Sequence, residues 1–196
     1  MHFKLSSKLP KKLYLACSGG PDSMFALHFL SQSNRHITLL YVNHGTKFGN
    51  ECEKFLTEMS HSNPAASNLI IHKITTDKSP DESQEEYWRN CRYSFFSNFD
   101  PVVTCHHLDD QIETMLMGFI HGRVRKIHSA RDNLLRPFLN LSKEQILEYC
   151  NYHGLKYMVD PSNTDVSFDR NKIRHKILPL IQEINPGYRK SIVRNT

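Results

Sequence analysis

Ser18-Gly19-Gly20-Pro21-Asp22-Ser23 lies between a short apolar run, Leu13 to Cys17, and a stretch of helical period over Asp22 to Leu30. Two glycines let the backbone pass close to a ligand. The helix that starts after them aims unpaired N–H groups and its positive dipole end at the same point. Strand, glycine turn and helix start, in that order, predict a phosphate site. The hydroxyls of Ser18 and Ser23 add donors. Asp22 suits a bare anion poorly, so its presence predicts an accompanying cation such as Mg²⁺. Neither the glycine-lysine pattern of Walker loops nor G-x-G-x-x-G occurs. A plain tight turn with an Asp near a helix start is the competing reading.

Outward from this turn, short β-rich runs alternate with helical stretches. His36 to Asn43, Asn68 to Thr75 and Pro101 to Thr104 read as further buried strands. Helices are expected over about Glu51 to His61 and Gln84 to Phe96, with another starting near Leu108. Tyr87, Cys91 and Phe95 recur every fourth residue, which turns that stripe toward the sheet rather than a ligand. The alternation predicts an α/β fold: a parallel sheet with right-handed crossovers, helices on both faces, and ligands beyond the carboxyl ends of the strands. After Gly122 the rhythm stops, although Asn133 to Leu139 can supply one more strand. Ser142-Lys143-Glu144-Gln145 is a capping box whose helix ends at Gly154. An irregular basic segment punctuated by Pro161, Pro179 and Pro186 follows.

A length of 196 residues suits one sizeable core plus a short appendage. No apolar run is long enough for a signal peptide or a membrane span, so a cytosolic protein is expected. The five cysteines, Cys17, Cys52, Cys91, Cys105 and Cys150, include no C-x-x-C pair and read as small buried hydrophobes rather than a disulfide framework or zinc ribbon. Charge is uneven: residues 1–121 carry 11 Lys and Arg against 13 Asp and Glu, whereas residues 122–196 carry 14 against 7. A second part at +7 suits a phosphate backbone, with a merely soluble basic surface as the alternative.

Two more clusters carry chemistry. His106 and Asp110 are four apart, His107 and Asp110 three, and Asp109 and Glu113 four, so acid and imidazole fall on two partly distinct faces at a strand end and helix start. A metal or a polarised substrate suits them. Mg²⁺ held by a carboxylate and phosphates fits better than zinc, for which a third and fourth ligand are wanting. Glu113 is as well explained by a structural hydrogen bond. Asp160-Pro161-Ser162-Asn163 predicts a turn, followed by Arg170, Lys172, Arg174, His175 and Lys176. One of these arginines could neutralise developing charge while others grip RNA phosphates; for Lys172 and Lys176 solvated surface charge competes. Arg89 and Arg92 are candidates to reach a nucleotide or RNA, with a surface ion pair as the rival. His44 closes a strand near where an adenine would sit, and a core or surface histidine is the plainer reading there.

Ser18 to Ser23 resembles the signature of the PP-loop ATP pyrophosphatases, which split ATP to AMP and pyrophosphate. Tyr41-Val42-Asn43-His44, Trp88-Arg89-Asn90-Cys91-Arg92-Tyr93, the run His106 to Thr114, Leu135-Arg136-Pro137, and Asp160 to Asn163 followed by Arg170 to His175 resemble, in order, the tRNA(Ile)-lysidine synthetases. The resemblance covers roughly Leu13 to Pro186. It implies a catalytic domain over residues 1–140 and a basic helical extension over 141–196 that completes the site and the RNA surface. The implied cofactors are ATP and Mg²⁺, and the implied partners are tRNA(Ile) with a CAU anticodon and free L-lysine. A homodimer stays open. Ser18, Gly19, Gly20, Pro21, Asp22, Ser23, His44 and Arg92 would hold ATP, and Asp22 and Asp110 the metal. Asp22, His106, His107, Asp109, Asp110 and Arg174 would form the catalytic set, with Asp110 orienting or deprotonating the lysine amine. Arg89, Arg123, Arg125, Lys126, Arg170 and Lys172 would meet RNA. The family's glycine-rich stretch after the His106 to Glu113 helix is replaced by His121-Gly122-Arg123-Val124-Arg125-Lys126-Ile127-His128-Ser129-Ala130-Arg131, and many members continue beyond the point where this chain ends. A tRNA 2-thiolation enzyme, or a catalytically silent RNA-binding relative, is the alternative; the separated cysteines speak against sulfur transfer.

Overall fold

Alternation along two central strands builds both faces of a sheet. In β1 (Lys12–Ala16), Leu13 and Leu15 enter one apolar layer and Tyr14 and Ala16 the other. In β2 (His36–Asn43), Ile37, Leu39 and Tyr41 share the first layer, Leu40 and Val42 the second. The first layer is covered by α1 (Pro21–Ser31), α2 (Lys47–Ser62) and α5 (Lys143–Tyr152), the second by α3 (Gln84–Phe96). These relations come from a computed structural model, which describes residues 3, 5–66 and 68–195, with backbone alone at 65, 194 and 195.

The sheet is completed by β3 (Asn68–Lys73), β4 (Val102–Val103), β5 (Ala130–Arg131) and β6 (Leu134–Leu135), in the order β3-β2-β1-β4-β6-β5. All neighbours run parallel except β5, which pairs antiparallel with β6. The chain leaves β1 on one side to form β2, and β4 joins β1 on the other. The reversal opens a crevice beyond the carboxyl ends of β1 and β4, where open α/β sheets bind ligands. α1 starts at one lip and α4 (Leu108–Ile120) at the other. α1 is apolar nearly all round because it is wedged between sheet and α5: Phe25, Leu27 and Leu30 are fully buried, each contributing about 1.5–3 kcal/mol. The ring of Phe25 meets Tyr149 of α5 edge-on at 4.9 Å.

Sequence expectation and structure agree at His36–Asn43, Gln84–Phe96 and the Ser142 capping box, where the Gln145 N–H donates to Ser142 Oγ at 3.2 Å and the Ser142 N–H to Gln145 Oε1 at 2.9 Å. They differ elsewhere. α2 begins at Lys47, a turn before Glu51, because Thr46 caps it by accepting the Gly49 N–H at 2.9 Å. Asn133 to Leu139 shrinks to the two residues of β6, beside a hairpin partner, β5, that the sequence did not announce. The segment read as irregular is helical: α6 (Asp169–Lys172), a π turn (Ile173–Ile177), α7 (Leu178–Ile184) and α8 (Tyr188–Asn195). Ile173, Leu178 and Tyr188 pack on Leu108 and Ile112 of α4, and Pro179 falls in the first turn of α7, directly after the π turn. Cys17, Cys52 and Cys150 are buried, Cys91 and Cys105 half-buried, and all are free thiols. Among the described residues, no helix is long and apolar enough to cross a membrane.

Candidate active site

The glycine turn is shaped by its own backbone. Gly19 sits at φ +80°, a left-handed conformation that side chains disfavour, and a Cβ there would lie 3.3 Å from the Phe55 ring. Its carbonyl accepts the Met158 N–H at 2.9 Å, which ties the turn to the chain leading into Asp160. Gly20 is the N-cap of α1 and Pro21 fills the first turn. The Ser23 hydroxyl donates to the Gly20 carbonyl at 2.9 Å, so its proton braces the turn instead of facing outward. Asp22 receives the ammonium of Lys143, from the first turn of α5, at 2.6 Å.

Across the crevice, β4 runs into Thr104-Cys105-His106-His107 before α4 begins. Asp110 Oδ2 accepts the His107 N–H at 3.0 Å, closing the helix start. The buried His107 ring lies between three carboxylates: Nε2 is 3.7 Å from Asp22 and 3.6 Å from Asp110, and Nδ1 is 3.8 Å from Asp109. Asp109 points away from Asp110, since adjacent helical residues diverge by about 100°. Its Oδ1 is gripped by Arg189 of α8 at 2.8 and 3.0 Å and its Oδ2 by the Lys143 N–H at 2.7 Å. Burial raises the Asp110 carboxyl, but His107, Arg170 and His106 together outweigh it and hold it at about 2. Burial lowers His106 to about 4, with Asp110 opposing; its Nδ1 is 2.9 Å from Thr104 Oγ1.

The basic segment reaches the same place. Asp160 caps the turn Pro161–Thr164, accepting the Ser162 N–H at 2.9 Å, and the Asn171 amide donates to the carbonyls of Ser162 and Asp165 at 3.0 and 2.8 Å. These bonds explain why the Asp160 and Arg170 motifs occur as a pair. Arg170 donates to Asp110 at 2.9 Å and to Glu113 at 2.6 Å; Arg174 donates to both Glu113 oxygens, at 2.7 and 3.0 Å. Glu113 is 0% exposed. Burial works against the charge of Arg170, but Asp110 and Glu113 more than compensate and raise its pKa.

All three parts border one cavity of about 780 Å³, a volume suited to a nucleotide-sized ligand. Ser18, Asp22 and Ser23 line one wall, His106 and Asp110 the second, Arg170, Asp160 and Phe168 the third. α3 closes it with Glu85, Trp88, Arg89, Arg92 and Tyr93. The His44 ring stacks on Trp88 at 4.9 Å and 27°, and its buried Nδ1 has no hydrogen-bond partner. Burial, reinforced by Arg92 and opposed by Asp160, lowers His44 to about 4, which leaves a neutral imidazole on the cavity wall. A second recess of about 490 Å³, lined by Met24, Phe55, Met59 and Leu155, carries none of the motif carboxylates.

Of the residues read from sequence, Ser18, Asp22, Ser23, His44, Arg89, Arg92, His106, Asp110 and Arg170 line the cavity. His107, Asp109 and Arg174 lie behind it, holding the wall together; of Arg170 and Arg174, only Arg170 reaches the cavity. Lys172 pairs with Asp169 at 2.8 Å on the surface, and Arg123, Arg125 and Lys126 are exposed on the loop after α4. Lys143 and Trp88 were not singled out. A lysine in the first turn of a helix runs against the dipole, and that misplaced charge was the available signal for Lys143. Among the described residues, no cluster of three His, Cys, Asp or Glu side chains is arranged to hold a metal unaided.

A family model described as a PP-loop domain matches residues 2–181. A tRNA(Ile)-lysidine synthase of Nitrosomonas europaea is 36% identical, the alignment covering 94% of this chain and 44% of that protein. One from Legionella pneumophila strain Paris is 33% identical, with 94% and 46% covered. A bifunctional protein TilS/HprT of Listeria innocua is 34% identical, with 90% and 30% covered. The chain spans less than half the length of these relatives.

Proposed function

This chain belongs to the PP-loop domain family, and from that premise we propose that it is an ATP-dependent RNA-modifying ligase acting on tRNA(Ile) with a CAU anticodon, joining lysine to C2 of the first anticodon cytidine. The observation that carries the reading is the cavity at the switch point of the sheet, where Ser18, Asp22 and Ser23 of the glycine turn share a lining with Asp110 and Arg170. The names of the curated relatives support the choice of substrate.

In this reading residues 1–140 bind and activate, and residues 141–196 supply Arg170 and an RNA surface. The turn Gly19 to Ser23 and the α1 dipole take the phosphates of ATP, and the His44–Trp88 pair with Arg92 makes a shelf for its base. The target cytidine enters unstacked, its C2 oxygen attacks the α-phosphate, and pyrophosphate leaves. The lysine ε-amine then displaces AMP at C2. Arg170, permanently charged and rigidly held, neutralises negative charge as it develops. Asp110, held at about 2, is too weak a base to take a proton at neutral pH; its part is to orient the incoming ammonium group. Asp22 and Asp110, both within 4 Å of His107 Nε2, fit as ligands for Mg²⁺ once phosphate oxygens complete the set, and the ion would supply charge neutralisation at the leaving pyrophosphate. The Lys143 ammonium, 2.6 Å from Asp22, adds a fixed positive charge on the same side. Sulfur transfer is disfavoured: burial raises all three thiols that line the cavity, Cys17, Cys52 and Cys105, which keeps them protonated and poorly nucleophilic.

The test is exchange of labelled pyrophosphate into ATP. Exchange should require the tRNA and proceed without lysine. Exchange driven by lysine alone would instead mean amino-acid activation and overturn the order of steps.

A further inference from the structure

The far end of α4 carries a feature that the cavity does not use. Phe119 is 82% exposed, Ile120 56% and Val124 104%, three large apolar side chains within six residues. The segment His121 to Arg131 that contains or adjoins them has four Lys and Arg and no Asp or Glu. Apolar groups left in water at this density mark an interaction surface.

The surface is built, not loose. The His121, Gly122 and Arg123 N–H groups donate to the carbonyls of Met117, Phe119 and Gly118 at 3.2, 3.0 and 2.8 Å, and Gly122 takes φ +65° to make the turn. A Cβ on Gly118 would lie 2.6 Å from the Arg123 carbonyl and 3.0 Å from Arg125, so the loop folds back tightly on the helix. Gln111 Oε1 accepts the Ile127 N–H at 2.8 Å, and the buried Arg136 donates to the His128 carbonyl at 2.9 Å. The backbone is pinned at both ends while Phe119 and Val124 face outward with Arg123 and Arg125 between and beside them.

We propose that Phe119, Ile120 and Val124, with Arg123 and Arg125, form a stacking platform for unpaired bases of RNA. This rests on the reading of the substrate as RNA. An exposed aromatic ring beside a segment with four Lys and Arg complements a strand whose bases offer π faces and whose phosphates are negative; a purely apolar protein partner would gain nothing from the cations. Phe119 lies nine residues beyond Asp110 on α4, about 14 Å along the axis and roughly half a turn round it, so a strand with one base in the cavity meets the platform by passing round α4.

The experiment measures binding of a tRNA transcript with a CAU anticodon across a salt series, alongside ATP binding and sedimentation, for four proteins: wild type, Phe119→Ala, Phe119→Trp, and Arg123→Gln with Arg125→Gln. Phe119→Ala should weaken RNA binding about 5- to 100-fold at fixed salt while leaving the salt slope unchanged, and Phe119→Trp should retain it. The double arginine variant should reduce the log-log slope by about 1.5. ATP binding should be the same in all four. If wild type binds the transcript and both Phe119→Ala and the arginine variant bind equally well, the platform is refuted and the RNA reading stands. If wild type binds no RNA, the proposed function fails and the platform with it. A wild-type dimer that Phe119→Ala dissociates, with RNA affinity unchanged, makes this face a self-association surface and overturns the proposal.

Discussion

Replacing Glu113 with Gln keeps the shape of a fully buried side chain and removes its charge. Glu113 accepts three charge-assisted hydrogen bonds, from Arg170 at 2.6 Å and from Arg174 at 2.7 and 3.0 Å. The amide presents one acceptor and turns N–H groups toward guanidinium N–H groups. Removing one partner of a buried ion pair costs about 3–5 kcal/mol. Here the cost is smaller, because the arginine side chains are 31% and 35% exposed, so water screens them, and Arg170 keeps Asp110 at 2.9 Å. A loss of about 2–4 kcal/mol is expected, which for a domain of this size lowers the thermal midpoint by roughly 5–15 °C. Calorimetry at pH 7 reads it directly. The cycle with Arg174→Met should give a coupling of about 1–3 kcal/mol. A midpoint within 2 °C of wild type, or strict additivity with Arg174→Met, would refute the view that this network clamps the C-terminal helices to α4.

Three further outcomes follow from the site. Gly19→Val forces a branched side chain into φ +80° and against Phe55, and should abolish ATP binding in calorimetric titration; undiminished affinity would remove the turn from the nucleotide site. Asp110→Asn should lower single-turnover product formation by about 10²-fold or more with tRNA affinity unchanged, whereas a lowered midpoint with a normal rate would make Asp110 a helix-start residue only. The depressed folded-state values of His44 and His106, about 4 each, mean that the unfolded chain binds more protons below its ordinary histidine value of ~6.5. Stability should therefore be complete above pH 6.5 and fall as pH drops from 6.5 toward 4, and His44→Gln with His106→Gln should flatten that limb of a midpoint-versus-pH curve.

What sequence could reveal follows from which signals are local. The strand, Gly19-Gly20 and helix start form one contiguous signal, and the Ser142 box is complete within four residues, so both were legible. The ion pairs that assemble the site are not: Lys143 to Asp22, Arg170 to Glu113 and Arg189 to Asp109 join residues 121, 57 and 80 positions apart. Arg170 and Arg174 show the limit most clearly. They are four apart and chemically alike, and only the docking of α6 and the π turn on α4 decides that Arg170 faces the cavity and Arg174 backs Glu113. The same docking makes helix of a segment whose prolines read as breaks, because Ile173, Leu178 and Tyr188 find their apolar partners on α4.

The central claim is that this cavity couples ATP cleavage to lysine addition on an anticodon cytidine. Mass analysis of nucleosides from a CAU-anticodon tRNA transcript, incubated with the protein, ATP and lysine, tests it in one step. A cytidine heavier by one lysine less one water, formed only when all three are present and absent with Asp110→Asn, is the predicted result. An unchanged nucleoside profile from protein that binds both ATP and tRNA would contradict the account.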